Sequence, residues 1–364
     1  MNRENIQNEV LAKLLTVNRG TAAVSGGVGK TLIGLRHMDN IFNAGLSDKF
    51  LVVAPKKSIF QSWKDDAKKF NFEYLIRHIT FSTYLSLPKQ THDYHAIYLD
   101  ECHSLKYSHN SWLSLFKGKI IGLTGTPPIN EKSEKGFMVD KYCPVIYSYK
   151  TDEAIDHSIL NDYRIIVHYV ELDKTKNIKV VKPNATWMTC EYNIYTYWTG
   201  RVDSSFGKSK QISAIQRMKA MQGFLSKELK ARSLLNSIGE YSKCLCFAST
   251  QEQAARICPA TYHSKNKFSG QNLDMFKEGK INKLCAVEQL SEGINIPNLK
   301  YGIIMHSYGN ERKASQKIFR FLRLNPNDCA VVHIFCYKDT IDEQWVKSAL
   351  DGFNQDKISY TYAK

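Results

Sequence analysis

Two short segments carry residue types that can do chemistry on a phosphate: Ser25-Gly-Gly-Val-Gly-Lys-Thr31 and Tyr98-Leu-Asp-Glu-Cys-His-Ser-Leu105. Gly26, Gly27 and Gly29 let backbone N–H groups, including that of Val28, close around phosphate oxygens, and a helix starting just after them presents its positive end. Lys30 is placed to reach the β- and γ-phosphates, and the Thr31 hydroxyl to hold magnesium. The complete Gly-x-x-x-x-Gly-Lys-Thr pattern needs glycine at position 24, where this chain has Val24, so alone the loop also fits a glycine-rich turn with a snorkelling lysine. The second segment decides between them. Asp100 closes the apolar run Ala96-Ile-Tyr-Leu99 and can bind magnesium through water, while Glu101 can accept a proton from an attacking water. Adjacent carboxylates at a strand end also fit a solvated loop, but not readily in a chain that already carries a phosphate loop. The expected ligands are ATP and Mg2+.

Such residues work only if a scaffold holds them, and the sequence describes one. Residues 20–130 alternate short apolar runs with helical stretches, the pattern of a parallel sheet flanked by helices. Strands are expected at Gly20–Val24, Phe50–Ala54, Tyr74–Thr80, Ala96–Asp100 and Lys119–Thr124, with a helix opened by a capping box at Ser58-Ile-Phe-Gln61. A second α/β block has strands at Lys243–Ala248, Lys283–Val287, Tyr301–Met305 and Ala330–Phe335, and another capping box at Thr250-Gln-Glu-Gln253. The organisation read from this is an N-terminal nucleotide-binding domain over 1–165, a helical basic connector or start of the second domain over 166–240 without strands after Val170, and a C-terminal domain over 241–364.

Bulk properties narrow the partners. The 364 residues suit about two domains, and 43% hydrophobic with 23% charged residues describes a globular protein rather than a disordered one. No apolar run is long enough to span a bilayer, and Met1-Asn-Arg-Glu-Asn5 opens no signal peptide. Fifty Lys+Arg against 35 Asp+Glu give a formal charge of +15, which suits a polyanion partner as well as a soluble basic protein. The nine cysteines include no Cys-x-x-Cys, so reduced, buried thiols in a cytoplasmic setting are expected. Arg201–Lys243 holds nine Lys/Arg and three Asp/Glu, readable as a solvated helical face or as a nucleic-acid track. Ile194, Tyr197, Trp198 and Arg201, at helical spacing, are expected to form a packed face.

A family resemblance follows from the motifs in order. Asp100-Glu-Cys-His103 resembles the Asp-Glu-x-His box of superfamily 2 helicases and translocases. Gln7 sits where that family keeps an adenine-reading glutamine. Val53-Ala-Pro-Lys-Lys57 with Gln61-Ser-Trp63, and Phe81-Ser-Thr-Tyr84, resemble strand-contacting motifs, which implies nucleic-acid contacts at Lys56 and Thr83. Leu123-Thr-Gly-Thr-Pro127 is similar to the motif linking hydrolysis to nucleic-acid grip, which gives His103, Thr124 and Thr126 a coupling role. Phe247-Ala-Ser249 and Leu290-Ser-Glu-Gly-Ile-Asn-Ile-Pro297 match later motifs, implying strand contacts at Ser249 and Ser291 and nucleotide contacts at Gly293 and Asn295.

Gln316-Lys-Ile-Phe-Arg-Phe-Leu-Arg323 resembles the last motif, and its spacing has its own logic. A helix there places Gln316, Arg320 and Arg323 on one face, and guanidinium groups can stabilise charge developing on a γ-phosphate. The chain departs from the family at Phe319, where glycine is usual, at Asn295, where aspartate is frequent, and at Cys102, where alanine is commoner. The resemblance implies two RecA-like domains with a catalytic set of Lys30, Asp100, Glu101, Gln316, Arg320 and Arg323. Within the superfamily the closest motif forms are those of compact phage branch-migration helicases and XPB-like enzymes. Three functions follow: a DNA helicase or branch-migration enzyme on single-stranded, forked or branched DNA; a duplex translocase; or a nucleotide-switched RNA- or DNA-binding module.

Overall fold

The computed structural model describes residues 2–128, 132–287, 296–306, 318, 321 and 328–362, which fall into one unit up to Asp162 and another from Tyr163. The first unit runs α1 (Arg3–Leu15), β1 (Arg19–Val24), α2 (Lys30–Asn43), β2 (Phe50–Ala54), α3 (Ser58–Lys69), β3 (Ile79–Thr83), β4 (Ala96–Asp100), α4 (Asn110–Leu115), β5 (Lys119–Thr124), α5 (Glu134–Tyr142), β6 (Val145–Tyr149) and α6 (Thr151–Asp156). Its six strands lie in the order β3-β2-β4-β5-β1-β6, every neighbouring pair parallel. Strands covered on both faces read as unbroken apolar runs, and Phe50-Leu-Val-Val-Ala54 is buried throughout. Because β5 separates β4 from β1, the loops leaving β1, β4 and β5 emerge side by side on one rim.

Two expectations need correction here. Glu73–His78 forms a 3-10 helix burying only Leu75, and the strand starts at Ile79, where five residues pair with β2 from Phe50↔Ile79 to Ala54↔Thr83. The capping box at Ser58 does not form: α3 begins at Ser58 itself, with Lys57 in the cap position and no side-chain cap.

The second unit runs β7 (Asp162–Val170), β8 (Ile178–Lys182), β9 (Ala185–Thr189), α7 (Glu191–Asp203), α8 (Gly207–Gly223), α9 (Leu225–Ser237), β10 (Cys244–Ala248), α10 (Gln251–Ile257), β11 (Thr261–Tyr262), α11 (Ser269–Glu278), β12 (Lys283–Val287), β13 (Tyr301–Ile304), β14 (Cys329–Tyr337), α12 (Ile341–Leu350) and β15 (Ile358–Tyr362). Seven of these strands form a sheet in the order β11-β12-β10-β13-β14-β7-β15. Thr250 does cap α10: its hydroxyl accepts the Gln253 N–H at 3.1 Å, while the Gln253 side chain accepts the Ser249 N–H at 2.9 Å.

Residues 166–240 open the second unit, and they depart from the expected absence of strands after Val170 at one place, the β8–β9 hairpin. β7 belongs to the second sheet, and β8 and β9 make an antiparallel hairpin around Pro183-Asn184, two turn-forming residues between β-prone segments. On α7, Ile194 and Trp198 are half-buried, but Tyr197 and Arg201 are exposed, so the packed face is narrower than the spacing suggested. Two basic residues of the stretch are buried, Lys227 and Lys243. Lys227 is fully buried, ion-paired with Asp342 and 4.3 Å from the centre of the Tyr337 ring. All nine cysteines are free thiols, and no helix among the described residues is long and apolar enough to cross a membrane.

Candidate active site

The glycine loop leaves β1 and turns into α2 through two backbone conformations that suit glycine, φ +93° at Gly27 and +103° at Gly29. Space forbids side chains as well. A Cβ on Gly27 would lie 2.7 Å from Leu160 Cδ2, and one on Gly29 would lie 2.6 Å from Gln7 Nε2. Gln7 is buried on α1, and its amide donates to the Val28 carbonyl at 2.6 Å, so here it braces the loop. Ser25 closes the loop's other end, accepting the Val28 N–H at 3.3 Å and meeting the Thr151 hydroxyl at 3.0 Å. Lys30 and Thr31 then open α2, both partly exposed.

Two strands away, Asp100 ends β4 and is only 7% exposed. Trp63 donates its indole N–H to Asp100 Oδ2 at 2.9 Å, and Tyr84 donates its hydroxyl to the Asp100 carbonyl at 3.0 Å. Burial, and then the charge of Glu101, push the Asp100 carboxyl up to about 6, against the pull of the Trp63 bond and Lys30. Glu101 follows in the left-handed region, φ +50°, a conformation that costs a non-glycine residue on the order of 1 kcal/mol and clusters at functional sites. For Glu101, burial works upward but is outweighed by Lys30 and His103 and by bonds from Lys30 and Thr124, leaving its carboxyl below the usual range.

Lys30 Nζ lies 3.4 Å from Glu101 Oε1, which brings the loop and the carboxylates into one cluster. Thr124, at the end of β5, organises the other side. Its hydroxyl donates to Glu101 Oε2 at 3.2 Å and accepts the Thr126 N–H at 3.1 Å. With that proton committed, His103 Nδ1, 2.9 Å from the same oxygen, must be the donor, and the imidazole proton is assigned to Nδ1. His103 Nδ1 is also 3.4 Å from Glu101 Oε2. The Thr126 hydroxyl is buried without a hydrogen-bond partner among the described residues.

These groups suit ATP and magnesium. The Cβ position of Gly26 meets nothing within 4 Å, leaving room for a phosphate, and Lys30 supplies the countercharge. The Thr31 hydroxyl and Asp100 are hard oxygen donors of the kind magnesium takes alongside phosphate oxygens. No cluster of three or more His, Cys, Asp or Glu among the described residues could hold a metal without such help.

The remaining sequence-derived residues are spread out. Lys56 is exposed between β2 and α3; Thr83 ends the neighbouring β3 and donates to the Ser86 hydroxyl at 3.2 Å. They share the rim with Asp100 without joining its cluster. Ser249 follows β10 in the second unit, its N–H held by Gln253. Ser291, Gly293, Asn295, Gln316, Arg320 and Arg323 lie outside the described residues. Sequence reasoning placed Trp63 and Tyr84 only in strand-contacting motifs and missed their bonds to Asp100, and it missed Leu160 and Thr151 altogether, since each lies far from its partner in the chain.

Fold and site together define an ATPase built on a parallel sheet with a phosphate loop. Comparisons with known proteins sharpen the class. A family model for the res subunit of type III restriction enzymes matches residues 1–129. The DNA 3'-5' translocase XPB2 of Sulfurisphaera tokodaii is 21% identical over 358 residues, 90% of this chain and 80% of the relative. The helicase domain of Pyrococcus furiosus Hef superposes with a TM-score of 0.55 at 15% identity, covering 94% of this chain and 97% of that one. The ATP-dependent type ISP restriction-modification enzyme LlaBIII, bound to DNA, superposes with a TM-score of 0.63 at 13% identity, covering all of this chain but 31% of that enzyme. The chain is thus similar to superfamily 2 helicases and translocases, in its first third by the family model and along most of its length by fold.

Proposed function

We propose that this chain is a magnesium-dependent DNA motor that separates or branch-migrates strands at forked or branched DNA. Its fuel site comprises Lys30, Thr31, Asp100 and Glu101, completed by Gln316, Arg320 and Arg323 and with nucleotide contacts at Gly293 and Asn295. The observation that carries the proposal is the contact of Lys30 with Glu101, backed by Thr124 and His103. Glu101 is held ionised, in a fixed orientation and beside the lysine that answers phosphate, which is what a base for hydrolytic water requires. When a phosphate competes for Lys30, Glu101 keeps Thr124 and His103 as its remaining partners. Thr31, and Asp100 through water, would hold magnesium, which would supply charge neutralisation on the phosphates.

Thr124 touches the base through its hydroxyl and the Thr126 backbone through the same oxygen, so a shift in the loop after β5 reaches Glu101 through one atom. Strand contacts at Lys56, Thr83, Ser249 and Ser291 engage phosphates and sugars, with little sequence reading. The likeness to a named translocase supports a second reading, duplex translocation without unwinding.

ATP hydrolysis measured alone and with single-stranded, duplex, forked and four-way DNA and with RNA tests the proposal. Stimulation highest on forked or four-way DNA, with strands released from the fork, is expected. Triplex displacement without strand release would select the duplex translocase. No stimulation by any nucleic acid, in protein that binds ATP, would remove the motor reading altogether.

A further inference from the structure

Trp63 occupies a position that packing alone does not explain. It sits on the second turn of α3, is fully buried, and is fitted on three sides. Its ring meets Tyr98 of β4 edge-on, with centroids 6.4 Å apart at 62°. On α2, a Cβ at Gly34 would lie 2.7 Å from Trp63 Cη2 and 3.2 Å from Cζ3, so the helix that begins at the phosphate loop gives up a side chain to admit the indole. The fit aims the indole N–H at Asp100 Oδ2, 2.9 Å away. Buried indoles commonly satisfy themselves on a carbonyl. Here the partner is a buried carboxylate, and a hydrogen bond to an ionised acceptor is both stronger and more directional.

We infer that Trp63 is a positioning residue for magnesium use: its N–H fixes the rotation of the Asp100 carboxylate, so that the group meets the metal's bound water in one orientation. The inference rests on the reading of Asp100 as the metal-side carboxylate. The carboxylate's own backbone is pinned by Tyr84, and Trp63 adds the constraint that backbone bonds cannot supply, the torsion of the side chain. Groups that orient metal ligands in this way typically change metal affinity by about 10- to 100-fold when removed.

The test replaces the N–H and keeps the shape. Trp63→Phe deletes the donor, and a full-length chain with benzothienylalanine at position 63 deletes it while preserving the ring outline. Binding of a fluorescent ATP analogue is titrated with magnesium and, separately, in EDTA, with no turnover required; the magnesium dependence of ATP hydrolysis is measured alongside. Both variants are expected to bind nucleotide normally in EDTA and to need about 10- to 100-fold more magnesium for the tightened state. If the benzothienylalanine protein matches the parent in its magnesium dependence, Trp63 is only a filler of volume and the inference falls. Asp100→Asn separates the two layers. If that variant also leaves magnesium dependence unchanged, the reading of Asp100 has failed; if it alone abolishes it, only the role of Trp63 has.

Discussion

Replacing Gly29 by alanine tests whether the phosphate loop is held in shape from outside, through Gln7. The alanine Cβ would lie 2.6 Å from Gln7 Nε2, about 1 Å inside an ordinary contact distance of 3.5–4.0 Å. Gln7 is buried, so its amide must swing away, breaking the bond to Val28 and orphaning a carbonyl on a residue with no exposed surface. An unsatisfied buried acceptor costs about 1–3 kcal/mol. Alanine at φ +103° adds roughly 1–2 kcal/mol of backbone strain. The sum, about 2–5 kcal/mol, corresponds to a loss of nucleotide affinity of about 30- to 4,000-fold if the working loop shape is what binds. Titration with a fluorescent ATP analogue measures it, with circular dichroism confirming the fold. The decisive comparison is the pair Gln7→Ala and Gly29→Ala together. If the clash is real, the double variant loses less than the two single losses summed, because the amide that alanine would strike is gone. Full additivity, or near-parental affinity in Gly29→Ala, would refute the reasoning.

Glu101→Gln should retain ATP binding and lose about 100- to 10,000-fold in turnover, measured by phosphate release; parental turnover would remove Glu101 as the base. Lys227→Met leaves Asp342 charged and buried, and chemical denaturation should show a loss of about 3–5 kcal/mol, largely recovered by Lys227→Met with Asp342→Leu; equal losses in both would mean the pair matters only for shape. Burial, and then His168, push His333 down to about 4. A depressed histidine contributes stability that is complete above its unfolded value of 6.5 and is lost as pH falls toward 4, at most about 3 kcal/mol here. His333→Phe should therefore flatten the fall in stability between pH 7 and pH 5, and an unchanged slope would count against it.

What was readable from sequence was what is local. The loop at Ser25–Thr31, the carboxylates at Asp100 and Glu101, and the strands that carry them depend on short spacing and apolar runs, and the structure joins them through Lys30. Asp100 and Trp63 are 37 positions apart, and nothing in either segment announces that an indole will aim at a carboxylate. Gln7 was singled out by resemblance for reading a base, yet its amide is engaged with Val28, a contact set by how α1 packs. Lys227 shows the same limit in a charge run. Composition treats every lysine of Arg201–Lys243 alike, whereas tertiary packing carries this one into the core beside Asp342. The hairpin at β8 and β9 was missed because Pro183-Asn184 reads as loop unless the flanking pairs are recognised as strands.

A parallel sheet has a silent side. The phosphate loop, the two carboxylates and Thr124 all lie at or beyond the strand ends, so the rim where strands begin is available for instrumentation. The turn before β2 lies there, with Gly45 at φ +67° holding its shape and Leu46 62% exposed beside it. Since eight native thiols are buried and Cys329 is partly so, Leu46→Cys would offer a dye the most accessible thiol. A fluorophore or bead tethered at that turn would stand clear of the phosphate loop and its carboxylates, and unchanged ATP hydrolysis after labelling is the expected sign.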